Sequence, residues 1–145
     1  MIRAEINQGN LKGGQRIPLA RVDGAMKVLS KALKVRGNEL VSIGFVSTSI
    51  MRKLNKTWRK KDKITDVLSF NIDEGELKGE IILSYEQAKR QAKAMKHSTR
   101  DELIFLIVHG VLHVYGHDHE QAKDKKKMFT LQESILNSLG IDSRL

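Results

Sequence analysis

The sequence predicts a single α+β domain, in which a small mixed β-sheet is covered by helices and a buried central helix carries a cluster of histidines. Three observations support this expectation. Apolar and polar residues alternate over short stretches such as Ile2-Arg3-Ala4-Glu5-Ile6 and Val41-Ser42-Ile43, the period of a half-buried strand. Elsewhere apolar residues recur every three or four positions, the period of an amphipathic helix. The two kinds of segment follow one another as strand, helix, strand, helix, hairpin and three helices, which fits one layered domain over residues 1–145. A chain of this size can bury a real core, hiding about 68–70% of its unfolded surface.

Each element has its own signal. After the first strand and a loop over residues 9–15, Pro18 stands where a helix begins. Leu19, Val22, Met26, Leu29 and Leu33 form its apolar stripe and Gly37 its stop. Val41, Ile43 and Phe45 give the second strand, and Ser47 or Ser49 can cap a short helix carrying Ile50, Leu54 and Trp58. Residues 67–72 and 80–83 are expected as a hairpin joined by the glycine-containing segment 73–79. Ser84-Tyr85-Glu86-Gln87 is a capping box that opens a helix through Ala88, Ala92 and Met95. A second box, Thr99 with Glu102, opens a helix over residues 100–115. Leu103, Ile104, Leu106, Ile107, Val111 and Leu112 make that helix apolar around much of its circumference, the mark of a buried element. The last helix, over residues 121–139, places Met128, Leu131, Ile135 and Leu139 on its core stripe and ends at Gly140.

Composition narrows the function. A net charge of +9 points to a polyanionic partner, because neutralising phosphates releases counterions. The charge is densest where Arg52, Lys53, Lys56, Arg59, Lys60, Lys61 and Lys63 face one acid, Asp62, with Trp58 interleaved. Cations that track a backbone, with an aromatic that stacks on an unpaired base, are what single-stranded nucleic acid requires. Arg52, Lys56, Trp58, Arg59 and Lys60 are therefore the candidate nucleic-acid contacts. The competing expectation is a solvated face with Arg59 paired to Asp62 or Asp66. The chain has no cysteine, which excludes a disulfide scaffold and thiolate metal ligands. Its longest purely apolar run, residues 103–108, is far short of the roughly 20 residues that span a bilayer, and the N-terminus lacks an apolar signal core. A cytoplasmic protein with no membrane association is expected.

The chemistry concentrates in His109-Gly110-Val111-Leu112-His113-Val114-Tyr115-Gly116-His117-Asp118-His119, which holds four of the five histidines. His109 and His113 stand four apart on the buried helix, so their rings project from one face and reach a common point. Gly116 supplies the left-handed residue that ends the helix, and His119 arrives from beyond the turn. Three neutral imidazoles at about 2.0–2.1 Å, with a fourth position left for water, are what a catalytic zinc needs. One Zn²⁺ per chain on His109, His113 and His119 is the resulting expectation. The spacing, with its in-register glycine, is the ligand skeleton of the metzincin-type H-E-x-x-H-x-x-G-x-x-H pattern. The position where those proteases keep their glutamate base is Gly110 here, which argues for the same metal geometry with different chemistry. His117 is either an alternative third ligand or a solvent-facing residue, and Asp118 either orients a ligand imidazole or is a polar turn residue.

The run His109-Gly110-x-x-His113-x-x-Gly116-x-Asp118-His119 resembles the signature of the YbeY family of bacterial rRNA-maturation endoribonucleases. Leu54-Asn55 through Arg59, then Thr65-Asp66-Val67-Leu68-Ser69-Phe70, match a second stretch of that family, followed by Gly79-Glu80-Ile81 where Gly-Asp-Ile is usual. The departures are His117, commonly tyrosine, and Ile64 and Asn71, commonly proline. The resemblance implies the same α+β architecture and a zinc-dependent, single-strand-specific endoribonuclease acting in 16S rRNA maturation and ribosome quality control. It implies rRNA, ribosomal particles, ribosomal proteins or an assembly GTPase as partners. Arg59, which matches the family's arginine, and His113 are the expected catalytic residues; a planar guanidinium suits a phosphate and the charge that builds on it. Two other functions fit the residues: a metallopeptidase-like hydrolase, and a non-catalytic ribosome-assembly factor whose structural zinc takes His117 as its fourth ligand.

Overall fold

The period-two stretches become strands, and their pairing frames everything else. The computed structural model describes residues 1–118 and 120–142. In it β1 (Ile2–Asn7), β2 (Glu39–Phe45), β3 (Val67–Glu74) and β4 (Leu77–Leu83) form one sheet in the order β1-β2-β4-β3. β1 and β2 are parallel, as are β2 and β4, while β3 runs antiparallel to β4 at the edge. Parallel neighbours need crossovers, and α1 (Leu19–Ala32) supplies the first, while α2 (Thr48–Arg59) and β3 lie between the second pair. The expected hairpin is present with longer strands and a tighter turn, because Asp73 and Gly75 adopt left-handed backbone (φ 57° and 58°) and reverse the chain within a few residues.

Three more helices, α3 (Tyr85–Ala94), α4 (Thr99–Val114) and α5 (Ala122–Ser138), complete the domain. α4 contacts β3, β4, α1, α3 and α5, and it is buried on nearly every side, as its apolar circumference requires. Two glycines set how closely it meets the sheet. A Cβ on Gly79 would lie 2.6 Å from the Phe70 carbonyl oxygen and 2.8 Å from both methyls of Val114. A Cβ on Gly110 would lie 3.1 Å from two Ile81 carbons and from Ser69 Oγ. Helix and sheet therefore touch backbone to side chain along this line. Tyr115 fastens the end of α4 to the start of β2, its hydroxyl donating to Glu39 Oε1 at 2.5 Å. Burial, and then the Glu39 carboxylate, push the Tyr115 phenol well above its ordinary range, so it stays protonated as that donor.

Several expected boundaries move for identifiable reasons. α1 stops at Ala32, because Lys34, with φ 56°, takes the left-handed position three residues ahead of Gly37. Val35 N–H then reaches the Ser30 carbonyl and Lys34 N–H the Lys31 carbonyl, the paired bonds of a Schellman ending. Leu19, expected on the α1 stripe, is exposed at the first turn. α4 is capped by Ser98, whose hydroxyl accepts from Asp101 N–H at 3.0 Å, and not by Thr99. Glu102, expected in the capping box, is fully buried, with Oε1 2.8 Å from His97 Nε2. On α2 the buried positions are Met51 and Asn55, whereas Ile50 and Trp58 are exposed. Gly116 (φ 90°) and Gly140 (φ 72°) end α4 and the last helix as expected.

Candidate active site

The helical spacing of His109 and His113 brings their Nε2 atoms to 3.1 Å from each other. Two nitrogens bound to one tetrahedral zinc at about 2.0–2.1 Å would stand about 3.3 Å apart, so this pair fits such an ion. His109 is held on two further sides. Its ring lies parallel to Phe105 (6°, centroids 6.4 Å apart), and its Nδ1 is 2.8 Å from Oε1 of Gln132, a buried residue of α5. No third His, Cys, Asp or Glu among the described residues completes a metal-holding group with them. His119, the expected third ligand, lies outside the described residues.

The pair opens into a cavity of about 490 Å³ between the end of α4, strand β3 and the end of α2. Arg59 lines it together with His109 and His113, although 50 positions separate Arg59 from the first histidine in sequence. Thr65, Asp66, Ser69 and Asn71 supply further polar wall, and Asp118 and Glu120 add carboxylates from beyond the turn. A smaller cavity of about 280 Å³ lies on the other side of His109, between Asp66, Phe129 and Gln132. A hollow of about 580 Å³ on the outer face of α5, around Lys123, Lys126 and Lys127, contains none of the histidines. It is larger, but the clustered imidazoles and guanidinium make the 490 Å³ cavity the chemical centre.

His117 lines this cavity and is half-buried. Burial, and then Lys127, lower its pKa from the ordinary histidine value, which favours a neutral ring. Asp118 accepts from Glu120 N–H through Oδ1 at 3.1 Å, the local bond of a turn residue, while also lining the cavity.

The ends of α2 and β3 explain how Arg59 comes to the cavity. Asp62 is taken by Arg52 (Nε to Oδ1, 2.8 Å), so it does not hold Arg59. The hydrogen bond within that exposed pair lowers the pKa of Asp62 and raises that of Arg52. Lys60 adopts left-handed backbone (φ 58°) and ends α2 with its N–H on the Asn55 carbonyl. The buried Asn55 side chain donates to the Lys63 carbonyl at 3.0 Å, which folds residues 60–63 back against the helix. Trp58 is 65% exposed and meets Phe70 edge to face at 6.1 Å. Lys56 and Lys60 are exposed on the same short element. Asn55 and Gln132 were not expected as contributors; each is a polar residue at a buried helical position, beside Met51 and Met128 respectively, and that break in the stripe is their signal.

The family model described as Endoribonuclease YbeY matches residues 13–140. The chain belongs to the YbeY family. Curated YbeY relatives include an Endoribonuclease YbeY from Ureaplasma urealyticum, 39% identical over 129 residues, covering 86% of this chain and 83% of that protein. Another, from Staphylococcus epidermidis, is 35% identical over 135 residues and covers 85% of this chain and 87% of its own. A solution structure of a protein from Thermotoga maritima superimposes with a TM-score of 0.61 at 29% identity, covering 96% of this chain and 89% of that one. The family model spans β2, β3, β4, the helix pair of histidines and Arg59, and the α+β architecture is shared with the solved structure. No helix among the described residues is long and apolar enough to cross a membrane.

Proposed function

We propose that this chain is a zinc-dependent endoribonuclease that cleaves single-stranded segments of rRNA, acting in 16S rRNA maturation and ribosome quality control in the cytoplasm. The observation that supports this best is the convergence of Arg59, His109 and His113 on one cavity from two separate elements. The relatives named Endoribonuclease YbeY supply the RNA substrate class. Ribosomal particles and their proteins, or an assembly GTPase, are the partners in this reading.

His109, His113 and His119 would hold the zinc. When bound, such an ion supplies Lewis acidity and lowers the pKa of a water it holds towards neutrality. Arg59 binds the scissile phosphate and offsets the negative charge that grows on its oxygens in the transition state. Trp58, exposed beside Phe70, stacks an unpaired base, while Arg52, Lys56 and Lys60 track the backbone. Duplex RNA hides its base faces from such a platform, which accounts for single-strand preference. A peptidase reading is disfavoured by Gly110, which stands at the position of the protease glutamate and where even a Cβ would sit tightly, 3.1 Å from Ile81 and Ser69 side-chain atoms.

The test is a substrate comparison with purified protein: a single-stranded RNA, the same sequence annealed to its complement, and an unstructured peptide. Cleavage of the single strand alone is the expected result. Peptide cleavage without RNA cleavage would install the hydrolase alternative in its place.

A further inference from the structure

Gln132 occupies a position where stability alone calls for an apolar side chain. It lies in the buried stripe of α5 with Met128, Ile135 and Leu136, and only 1% of its surface is exposed. Burying a carboxamide is unfavourable unless its polar atoms are used. Its Oε1 is used on His109 Nδ1, at 2.8 Å.

We propose that Gln132 is a positioning residue that prepares His109 to bind a metal, an inference that rests on the zinc reading above. A carboxamide oxygen can only accept, so Nδ1 must carry the proton. The lone pair of His109 is then confined to Nε2, the atom facing His113 Nε2 at 3.1 Å. Phe105 lies parallel to the same ring and limits its tilt, while Gln132 limits its rotation about the ring axis. Neither constraint comes from α4's backbone alone. A metal-bound histidine is commonly held through its other nitrogen by a carboxylate or a carbonyl. Here the holder is a neutral amide on a neighbouring helix, so the ligand is oriented without adding charge beside the ion.

Two substitutions separate orientation from packing. Gln132→Met keeps the length and shape but removes the acceptor, and Gln132→Glu keeps an acceptor that cannot flip. Zinc affinity is read by competition against a chromophoric chelator, and site geometry by the visible spectrum of the Co²⁺ form. Thermal unfolding of the metal-free proteins serves as the folding control. Gln132→Met should bind zinc about 10–100-fold more weakly, and Gln132→Glu should retain it. Nitrogen NMR of the metal-free wild-type protein should show His109 protonated on Nδ1, a readout that needs no variant. Wild-type zinc affinity in Gln132→Met, with binding abolished in His113→Ala, would overturn the positioning role and leave the zinc site standing. An Nε2-protonated His109 would overturn it as well. A wild-type protein that takes up no zinc would remove both the site and the role.

Discussion

Asn71 on β3 donates from Nδ2 to the carbonyl of Val114 at 2.7 Å, so the edge strand grips the last turn of α4 one residue beyond His113. The carbonyls of a helix's last turn have no partners inside the helix. Here the sheet supplies one, and the same side chain lines the cavity. Asn71→Ala should lower stability by about 1–2 kcal/mol, measured by denaturant unfolding, and amide exchange should rise at residues 115–117. Unchanged exchange there would mean that the turn is held by Gly116 and Tyr115 without Asn71.

The contact between α4 and β4 at Gly79 is tighter than any side chain allows. Gly79→Ala places a methyl against a backbone oxygen that cannot move independently of the β3–β4 ladder. The expected loss is about 3 kcal/mol. Gly44→Ala is the matched control, since its Cβ would meet only an Ile82 methyl at 3.9 Å. That control should stay within about 1 kcal/mol of wild type.

Lys34 and Lys96 each hold a left-handed backbone, φ 56°, at the end of a helix. Both helices close with the same pair of bonds, Val35 to Ser30 and His97 to Ala92 being the longer-reaching ones. Left-handed backbone costs a side-chain-bearing residue roughly 1–2 kcal/mol, part of which glycine recovers. Lys34→Gly and Lys96→Gly should each stabilise the protein by about 0.5–1 kcal/mol, seen as a raised denaturation midpoint. A fall in either midpoint would show that the lysine side chain contributes more than its backbone costs.

These endings also show what the sequence could convey. Gly116 and Gly140 advertise their helix ends because glycine is the residue that left-handed backbone favours, and both were legible. Lys34 and Lys96 do the same job with no compositional mark, so Gly37 drew the expected end of α1 beyond its true position. The strands were legible because Ile2, Val41 and Ile43 fall on buried alternate positions. The parallel pairing of β2 with β4 was not, since pairing is a tertiary choice that periodicity does not record. At the site, helical spacing alone announced His109 and His113. Arg59 was visible as one cation of a basic run and was singled out only through a motif; Arg52 pairs with Asp62, a contact ten residues apart that local pattern does not distinguish from the pair Arg59–Asp62.

Arg59 and Trp58 should separate catalysis from general binding. Arg59→Glu should weaken single-stranded RNA binding and reduce the salt slope by about 1 or more, while zinc content stays unchanged. Trp58→Ala should cost about 1–3 kcal/mol of RNA affinity with little change in stability, because the ring is largely exposed. Zinc loss in Arg59→Glu would assign that arginine to the fold instead of the phosphate.

The most direct measurement is cleavage of a defined rRNA fragment containing single-stranded and paired regions, run with native, chelated, zinc-restored and His113→Ala protein. Cleavage confined to single-stranded segments, present in the native and restored samples and absent from the other two, is the predicted result. Equal cleavage in all four samples, or none in any, would contradict a metal centre built on His109 and His113 as the source of the activity.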